Sequence, residues 1–299
     1  MKLIKPSFEI WNQPAGLEGV YKQIERVGRV CYKSEDKITE DSAKPFVDRM
    51  VKSGHGAMLE HGTVYMLVPF ETHSGKYKHN KYSKVCDIAK SEMGDRSAVT
   101  TNLRVLVENG WMDDLQYLCE PTEFHEKRIT VHFVCDRGVS HEFVRHRVMS
   151  FAQESTRYCN YSKDKFGNEL TFIIPEWCPE IREDSNKGWD PCSMYDKLYL
   201  QHLQSAEDTY FALLKQWDER VPDKRYKSGF RNNPWMPQQA RAVLPNSLKT
   251  ELVVTGFVSD WNHFFDLRAR GTTGAPHPQA KELAEPLMEE FIARKYINN

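Results

Sequence analysis

The segment from Val144 to Tyr158, VRHRVMSFAQESTRY, constrains this chain more than any other stretch. Arg145, His146, Arg147 and Arg157 fall within thirteen residues, against a single acid, Glu154. The chain as a whole has 41 Lys+Arg and 42 Asp+Glu, a formal net charge of −1, so the cationic patch is a local feature. Upstream, KRITVHFVCD alternates β-branched and polar residues and reads as a strand. Asp136-Arg137-Gly138 then turns the chain, and Ser140 is placed to cap a short helix running through His146 and Arg147. Ser150 to Ser155 is small and polar, suited to backbone and hydroxyl contacts with an anion, and Gln153 can both donate and accept. Guanidinium forks bind phosphate or carboxylate through paired hydrogen bonds, so the patch asks for a phosphorylated ligand. The competing reading is a solvated basic helix face.

Composition narrows the classes. The near-zero charge argues against a dedicated nucleic-acid binder. A mean hydropathy of −0.64 and the lack of a long apolar run argue against a membrane span. The start, MKLIKPSFEIWNQP, lacks the apolar core of a signal peptide. Seven cysteines without a C-x-x-C pair read as reduced thiols, which implies a cytoplasmic setting and no structural zinc. At 299 residues the chain can bury a substantial core, and it is read as one domain, 1–299.

Periodicity supplies the elements. Leu17, Val20, Ile24, Val27 and Val30 predict a helix over 15–31, and Asp41-Ser42 opens a second through Phe46, Met50 and Val51 to Gly54. Thr63 to Val68 and Leu170 to Ile174 read as strands, and Leu103 to Val107 as a helix. The segment 70–126, with THSGKYKHNKYSK, reads as a solvated insertion, and 160–190 as a second one made mostly of loop. Tyr195, Leu198, Leu203, Tyr210, Leu213 and Leu214 predict a long helix from Met194 to Trp217, its apolar stripe belonging to core or subunit interface. Glu251 to Gly256 is a further strand. His263 and Arg268 follow, five apart on a predicted helix and therefore about 140° apart around its axis. The fold class is α+β, a mixed or antiparallel sheet covered by helices.

Arg145-His146-Arg147, followed after seven residues by Ser155 and then by Arg157-Tyr158, resembles the RHR-x7-S signature of the flavin-dependent thymidylate synthases. Three further segments agree with it. His55 to His61 is similar to the family's H-x-x-x-x-E-H, Ala240 to Pro245 to its A-R-x-x-L-P, and Phe264 to Arg268 to its F-x-x-L-R. His277 stands near the start of a segment like the H-A-Q-x-E-I that commonly follows. The resemblance covers most of 15–69, 127–160 and 235–299.

It implies reductive methylation of dUMP to dTMP, with the one-carbon unit from methylenetetrahydrofolate and hydride from NADPH by way of FAD. It also implies a homotetramer with sites at subunit boundaries. Carried over residue by residue, Glu142, Arg145, Gln153, Glu154, Ser155, Arg157, Arg241 and Arg268 are expected at dUMP. Arg268 lies beside the uracil ring as the catalytic group. His55, Arg145, His146, Arg147, Gln153 and His263 are expected at FAD, with Glu60 and His61 as packing groups. No nucleic acid, membrane or metal partner is implied.

Three positions depart from the family pattern. Glu142 stands where many relatives have glutamine, and a carboxylate there would repel a phosphate unless protonated or turned to an arginine. Phe257 and Ser259 replace a frequent asparagine and arginine, so some flavin contacts must be made differently or lost. Rival readings follow from other residues. Pro191-Cys192 offers the cysteine nucleophile of the classical synthases without its flanking pattern. His141, Glu142 and His146 hint at a metal hydrolase, but the histidines are five apart where H-E-x-x-H needs four. A nucleotide-binding regulatory protein would have kept the phosphate site without turnover.

Overall fold

Two compact units make up the computed structural model, which describes residues 1–88, 95–178, 181, 193–215 and 234–298. The smaller unit comprises Met1–Pro6, Cys135–Ser140 and Glu154–Thr250, and the larger Ser7–Val134, His141–Gln153 and Glu251–Asn299. No helix among the described residues is long and apolar enough to cross a membrane.

The larger unit begins at strand β2, Ser7–Trp11, and helix α1, Gly16–Tyr32, which follows the predicted spacing and stops where Lys33 turns left-handed at φ 48°. Helix α2, Ala43–Ser53, ends on Gly54 at φ 70°, a conformation in which glycine meets no steric penalty. A Cβ at Gly28 would come within 2.5 Å of the Phe46 ring, so α1 carries a glycine where it meets α2. Beneath these helices lies a three-stranded antiparallel sheet, in order β3 (Thr63–Pro69), β5 (Arg96–Asn102), β4 (Lys84–Ile88). Its core of Val20, Ile24, Phe46, Leu59, Met66 and Val99 is buried, each such side chain contributing about 1.5–3 kcal/mol.

This sheet corrects the reading of 70–126 as a solvated insertion. Strand β5 is buried from Ser97 to Asn102, and Tyr77, inside helix α4 (Phe70–Lys78), is fully buried with its hydroxyl donating to Asp114 at 2.5 Å. The polar face misled because Ser97, Thr100 and Thr101 are buried polar residues. Ser97 donates to Asp87 at 2.8 Å, and Thr101 accepts from Ser83 at 2.8 Å. Helix α5, Leu103–Asn109, follows as expected, capped by the Asn102 side chain at 3.1 Å from the Val105 N–H.

A four-stranded sheet, in order β2, β6 (Arg128–Asp136), β9 (Lys249–Phe257), β7 (Ser150–Gln153), completes the larger unit. Strands β6 and β9 also carry the chain from one unit into the other. An aromatic cluster of Phe133, Phe143, Trp261, Phe264, Phe265 and Phe291 packs against this sheet, and the Trp261 indole donates to the Ile129 carbonyl at 3.1 Å. The cluster fixes helix α8, Val258–Phe265, and helix α9, Pro278–Ala293.

In the smaller unit β1, Lys2–Ile4, pairs in parallel with β8, Thr171–Ile173. Helix α7, Met194–Leu214, covers a core of Tyr161, Leu170, Phe172, Leu203 and Tyr210. Only part of its expected apolar stripe is core: Tyr195 and Leu198, in its first turns, are 84% and 56% exposed. Gln216 and Trp217, the expected end of that helix, lie outside the described residues, as do Pro191-Cys192 and most of 179–190.

Candidate functional site

Strand β6 runs directly into helix α6, Arg137–Phe143, with no intervening turn. The cap is Asp136, whose Oδ1 accepts the Val139 N–H at 2.7 Å, the arrangement an aspartate at a helix N-terminus favours. Ser140 was the expected cap. It lies inside the helix instead, its hydroxyl donating to the Arg137 carbonyl at 2.9 Å. The helix starts four residues earlier than expected and ends at Phe143, so His146 and Arg147 are not helical. They sit in tight turns marked by His146 N–H to Phe143 O at 3.2 Å and Met149 N–H to His146 O at 3.1 Å. Ser150 to Gln153, read from the sequence only as small and polar, is strand β7, each residue paired with one of Leu252 to Thr255 on β9.

The turn is anchored through its middle residue. His146 is buried, with its ring 4.9 Å from that of Phe264 and 5.9 Å from that of His263, while Arg145 and Arg147 on either side are exposed. Burial pushes the His146 pKa down to about 4, and Arg268 and His263 push in the same direction while Glu142 opposes. The imidazole is therefore neutral near pH 7. Arg268 has only donors, so its Nε–H, 3.2 Å from His146 Nε2, requires an unprotonated Nε2 and places the ring proton on Nδ1.

Helix α8 is capped from within by Asp260, whose carboxylate accepts the Phe257 N–H at 3.1 Å and whose pKa burial raises. It passes into a π-helical turn, Asp266–Arg270, closed by a bond from Gly271 N–H to Asp266 O. Such single wide turns recur at functional sites. The turn interrupts the regular helix between His263 and Arg268, so the expected 140° separation does not apply. Arg268 reaches Glu142 twice, through the side-chain carboxylate and, at 2.8 Å, through the main-chain carbonyl. The Glu142 carboxylate is thus turned to an arginine, one of the two conditions under which the sequence allowed it near an anion.

These residues line one cavity of about 260 Å³, formed by Arg145, His146, Arg147, Val148, Met149, Asp260, His263, Leu267 and Arg268. The structure therefore brings together five of the expected residues from two distant segments. Val148, Met149, Asp260 and Leu267 were not singled out in the sequence. Asp260 was the one with a readable signal, an acid in the first turn of a helix. Neither Arg145 nor Arg147 pairs with a carboxylate among the described residues, and Val148 is 52% exposed beside them. Two guanidinium groups with no carboxylate partner among the described residues, next to an exposed apolar side chain, fit a ligand that joins phosphates to an apolar part.

The other expected residues lie elsewhere. His55 is an exposed residue before the four-residue helix α3, Gly56–Leu59, and is not among those lining the cavity. Glu60 pairs with Arg104 at 2.5 Å, and His61 is buried with Nδ1 2.8 Å from Thr255 Oγ1, so both are packing groups as expected. Gln153 ends β7, and Phe257 is buried. Glu154, Ser155, Arg157 and Arg241 belong to the smaller unit. Glu154 is buried there, accepting from the Tyr161 hydroxyl at 2.9 Å and pairing with Lys249 at 2.8 Å. Arg157 donates to Gln238 at 3.1 Å and Arg241 to the buried Thr156 at 3.3 Å, both arginines being exposed. No group of three or more His, Cys, Asp or Glu among the described residues is placed to hold a metal ion.

Known proteins resemble this chain in sequence. A flavin-dependent thymidylate synthase of Pyrococcus horikoshii is 29% identical over 164 residues, 54% of each chain. One of Corynebacterium aurimucosum is 24% identical over 87% of this chain and 72% of its own, and one of Thermococcus onnurineus 32% identical over 45% and 43%. The matches thus span about half the length of most of these relatives. Among solved structures, the UMP/dUMP methylase PolB from Streptomyces cacaoi bound with 5-Br dUMP aligns with a TM-score of 0.42 and 16% identity, over 98% of this chain and 93% of that one. The family model for thymidylate synthase complementing protein (Thy1) matches residues 78–294, a span that takes in the RHR turn and Arg268, and the chain belongs to that family.

Proposed function

We propose that this chain is a flavin-dependent thymidylate synthase that converts dUMP to dTMP. Methylenetetrahydrofolate is the one-carbon donor, NADPH the reductant and FAD the cofactor, and the protein acts as a cytoplasmic homotetramer. The observation that carries this reading is the convergence of Arg145, His146, Arg147, His263 and Arg268 on one cavity in a chain of this family.

Arg145 and Arg147 would hold the phosphates of FAD, with His146 and His263 beside it. Bound there, the flavin supplies the redox chemistry. Arg268 would lie against the pyrimidine and stabilise negative charge as it develops, making carbon-5 nucleophilic, a contribution that needs a fixed donor in a site shielded from water. Ser155, Arg157 and Arg241 would bind the nucleotide.

The test is the visible absorption spectrum of the purified, desalted protein with and without dUMP, followed by an assay for dTMP. A flavin spectrum that shifts with dUMP, together with dTMP formation that requires NADPH and methylenetetrahydrofolate, is the expected result. A colourless protein that FAD does not reconstitute overturns the reading in favour of a nucleotide-binding regulator. Within this reading, Ser155→Ala raises KM for dUMP about tenfold, the loss of one good hydrogen bond to an anion, and leaves kcat nearly unchanged.

A further inference from the structure

Arg268 is held more completely than a ligand-binding arginine needs to be. Three of its five N–H donors are engaged: one with the Glu142 carboxylate, one with the Glu142 carbonyl at 2.8 Å, and Nε–H with His146 Nε2 at 3.2 Å. Two of the three acceptors belong to one residue. Glu142 can present both because it is the next-to-last residue of α6, where carbonyls have no partner within the helix. On the other side, the π turn Asp266–Arg270 carries Arg268.

We propose that Glu142 is the positioning residue for Arg268: it fixes the plane of the guanidinium and leaves the two remaining N–H donors for the ligand of the cavity that Arg268 lines. This replaces the expectation that Glu142 touches the nucleotide, and it rests on the proposed function for its kinetic read-out. The pair is not chiefly a source of stability. Glu142 is about one-third exposed and Arg268 15% exposed at the side chain, and an ion pair open to water on one side contributes little net energy. Its contribution is orientation. A guanidinium anchored at Nε, Nη1 and Nη2 cannot rotate about its last bonds, and a displacement of about 1 Å in a group acting on the transition state can cost up to about a hundredfold in rate.

The experiment compares wild type with Glu142→Ala, Glu142→Gln and Glu142→Asp, measuring kcat, KM for dUMP and bound flavin. Glu142→Ala lowers kcat about ten- to a hundredfold with KM and flavin content within about threefold of wild type. Glu142→Gln keeps an oxygen acceptor for Nη1 and returns kcat to within about fivefold of wild type, whereas Glu142→Asp keeps the charge but withdraws the carboxylate and stays slow. Each of four results overturns the proposal: wild-type kcat in the alanine variant, a raised KM with unchanged kcat, a glutamine variant as slow as alanine, or an aspartate variant as fast as wild type. The Arg268 Nε–H resonance gives a reading independent of turnover and applies even if the alanine variant does not fold. It is protected from exchange in wild type and Glu142→Gln and exchanges fast in Glu142→Asp; equal protection in all three overturns the proposal. A wild-type protein that makes no dTMP defeats the functional reading alone, and the resonance still decides the positioning.

Discussion

Two regions of the larger unit are each built around an arginine and a neutral histidine, and they do opposite things with them. Around Arg128 everything is closed. The guanidinium is buried, donates to the Glu60 carbonyl at 2.9 Å and to the Ser150 hydroxyl at 3.2 Å, and has no carboxylate contact among the described residues. Burial lowers its pKa to about 10, and Nε has no hydrogen-bond partner. His61 nearby is held by Thr255 and pushed down to about 3, by burial first and Arg128 second. Around Arg268 the same two residue types face a cavity, and a carboxylate accompanies the arginine. Neutral acceptors make Arg128 a fixed tie between strands, whereas Glu142 and His146 hold Arg268 while leaving donors for a ligand.

Substituting the arginines separates these roles. Arg268→Ala lowers dTMP formation by a factor of about a hundred to a thousand or more, the cost of removing a donor aimed at developing charge, while the urea midpoint stays close to wild type. Undiminished turnover in that variant would remove the distinction between the regions. Arg128→Met gives the reverse result. It strands a buried carbonyl and hydroxyl and destabilises the unit by about 2–3 kcal/mol, read as a lower urea midpoint, while the flavin content of the folded fraction is unchanged. A variant as stable as wild type would mean that Arg128 has no structural role.

The sequence disclosed the two regions unequally. Arg268, His146 and His263 were legible because the family motif fixes them by spacing, and strands β6 and β9 because their β-branched runs are long. Arg128 passed unnoticed: a lone arginine at the start of an apolar strand carries no signal, and its partners Thr63 and Ser150 are far away in the chain. The end of helix α6 was misjudged because Asp136 and Ser140 are both good caps, and only the packing of Phe143 against Phe133 and Phe264 selects the first. The π turn has no sequence signature. Strand β5 was hidden by hydroxyl residues whose partners, Ser83 and Asp87, come from a segment ten or more residues earlier in the chain.

The histidines provide the finest comparison. Each has a folded-state pKa below the ordinary value of 6.5, to about 3 for His61 and about 4 for His146. The unfolded chain therefore takes up protons first as pH falls. The stability each histidine contributes is complete above pH 6.5, is lost with falling pH at about 1.4 kcal/mol per pH unit, and stops falling once the folded form also protonates. That floor lies near pH 4 for His146 and near pH 3 for His61. Urea midpoints between pH 3 and 7 check this: His61→Gln and His146→Gln each flatten the slope between pH 4 and 6.5 by about one proton. Only His61→Gln flattens it further between pH 3 and 4. Protonating His146 also removes the acceptor of the Arg268 Nε–H, so turnover falls as pH approaches 4, while protonation of His61 lies below that range. If the two variants gave identical stability profiles down to pH 3, the closed region around Arg128 would shield its histidine no better than the open one does.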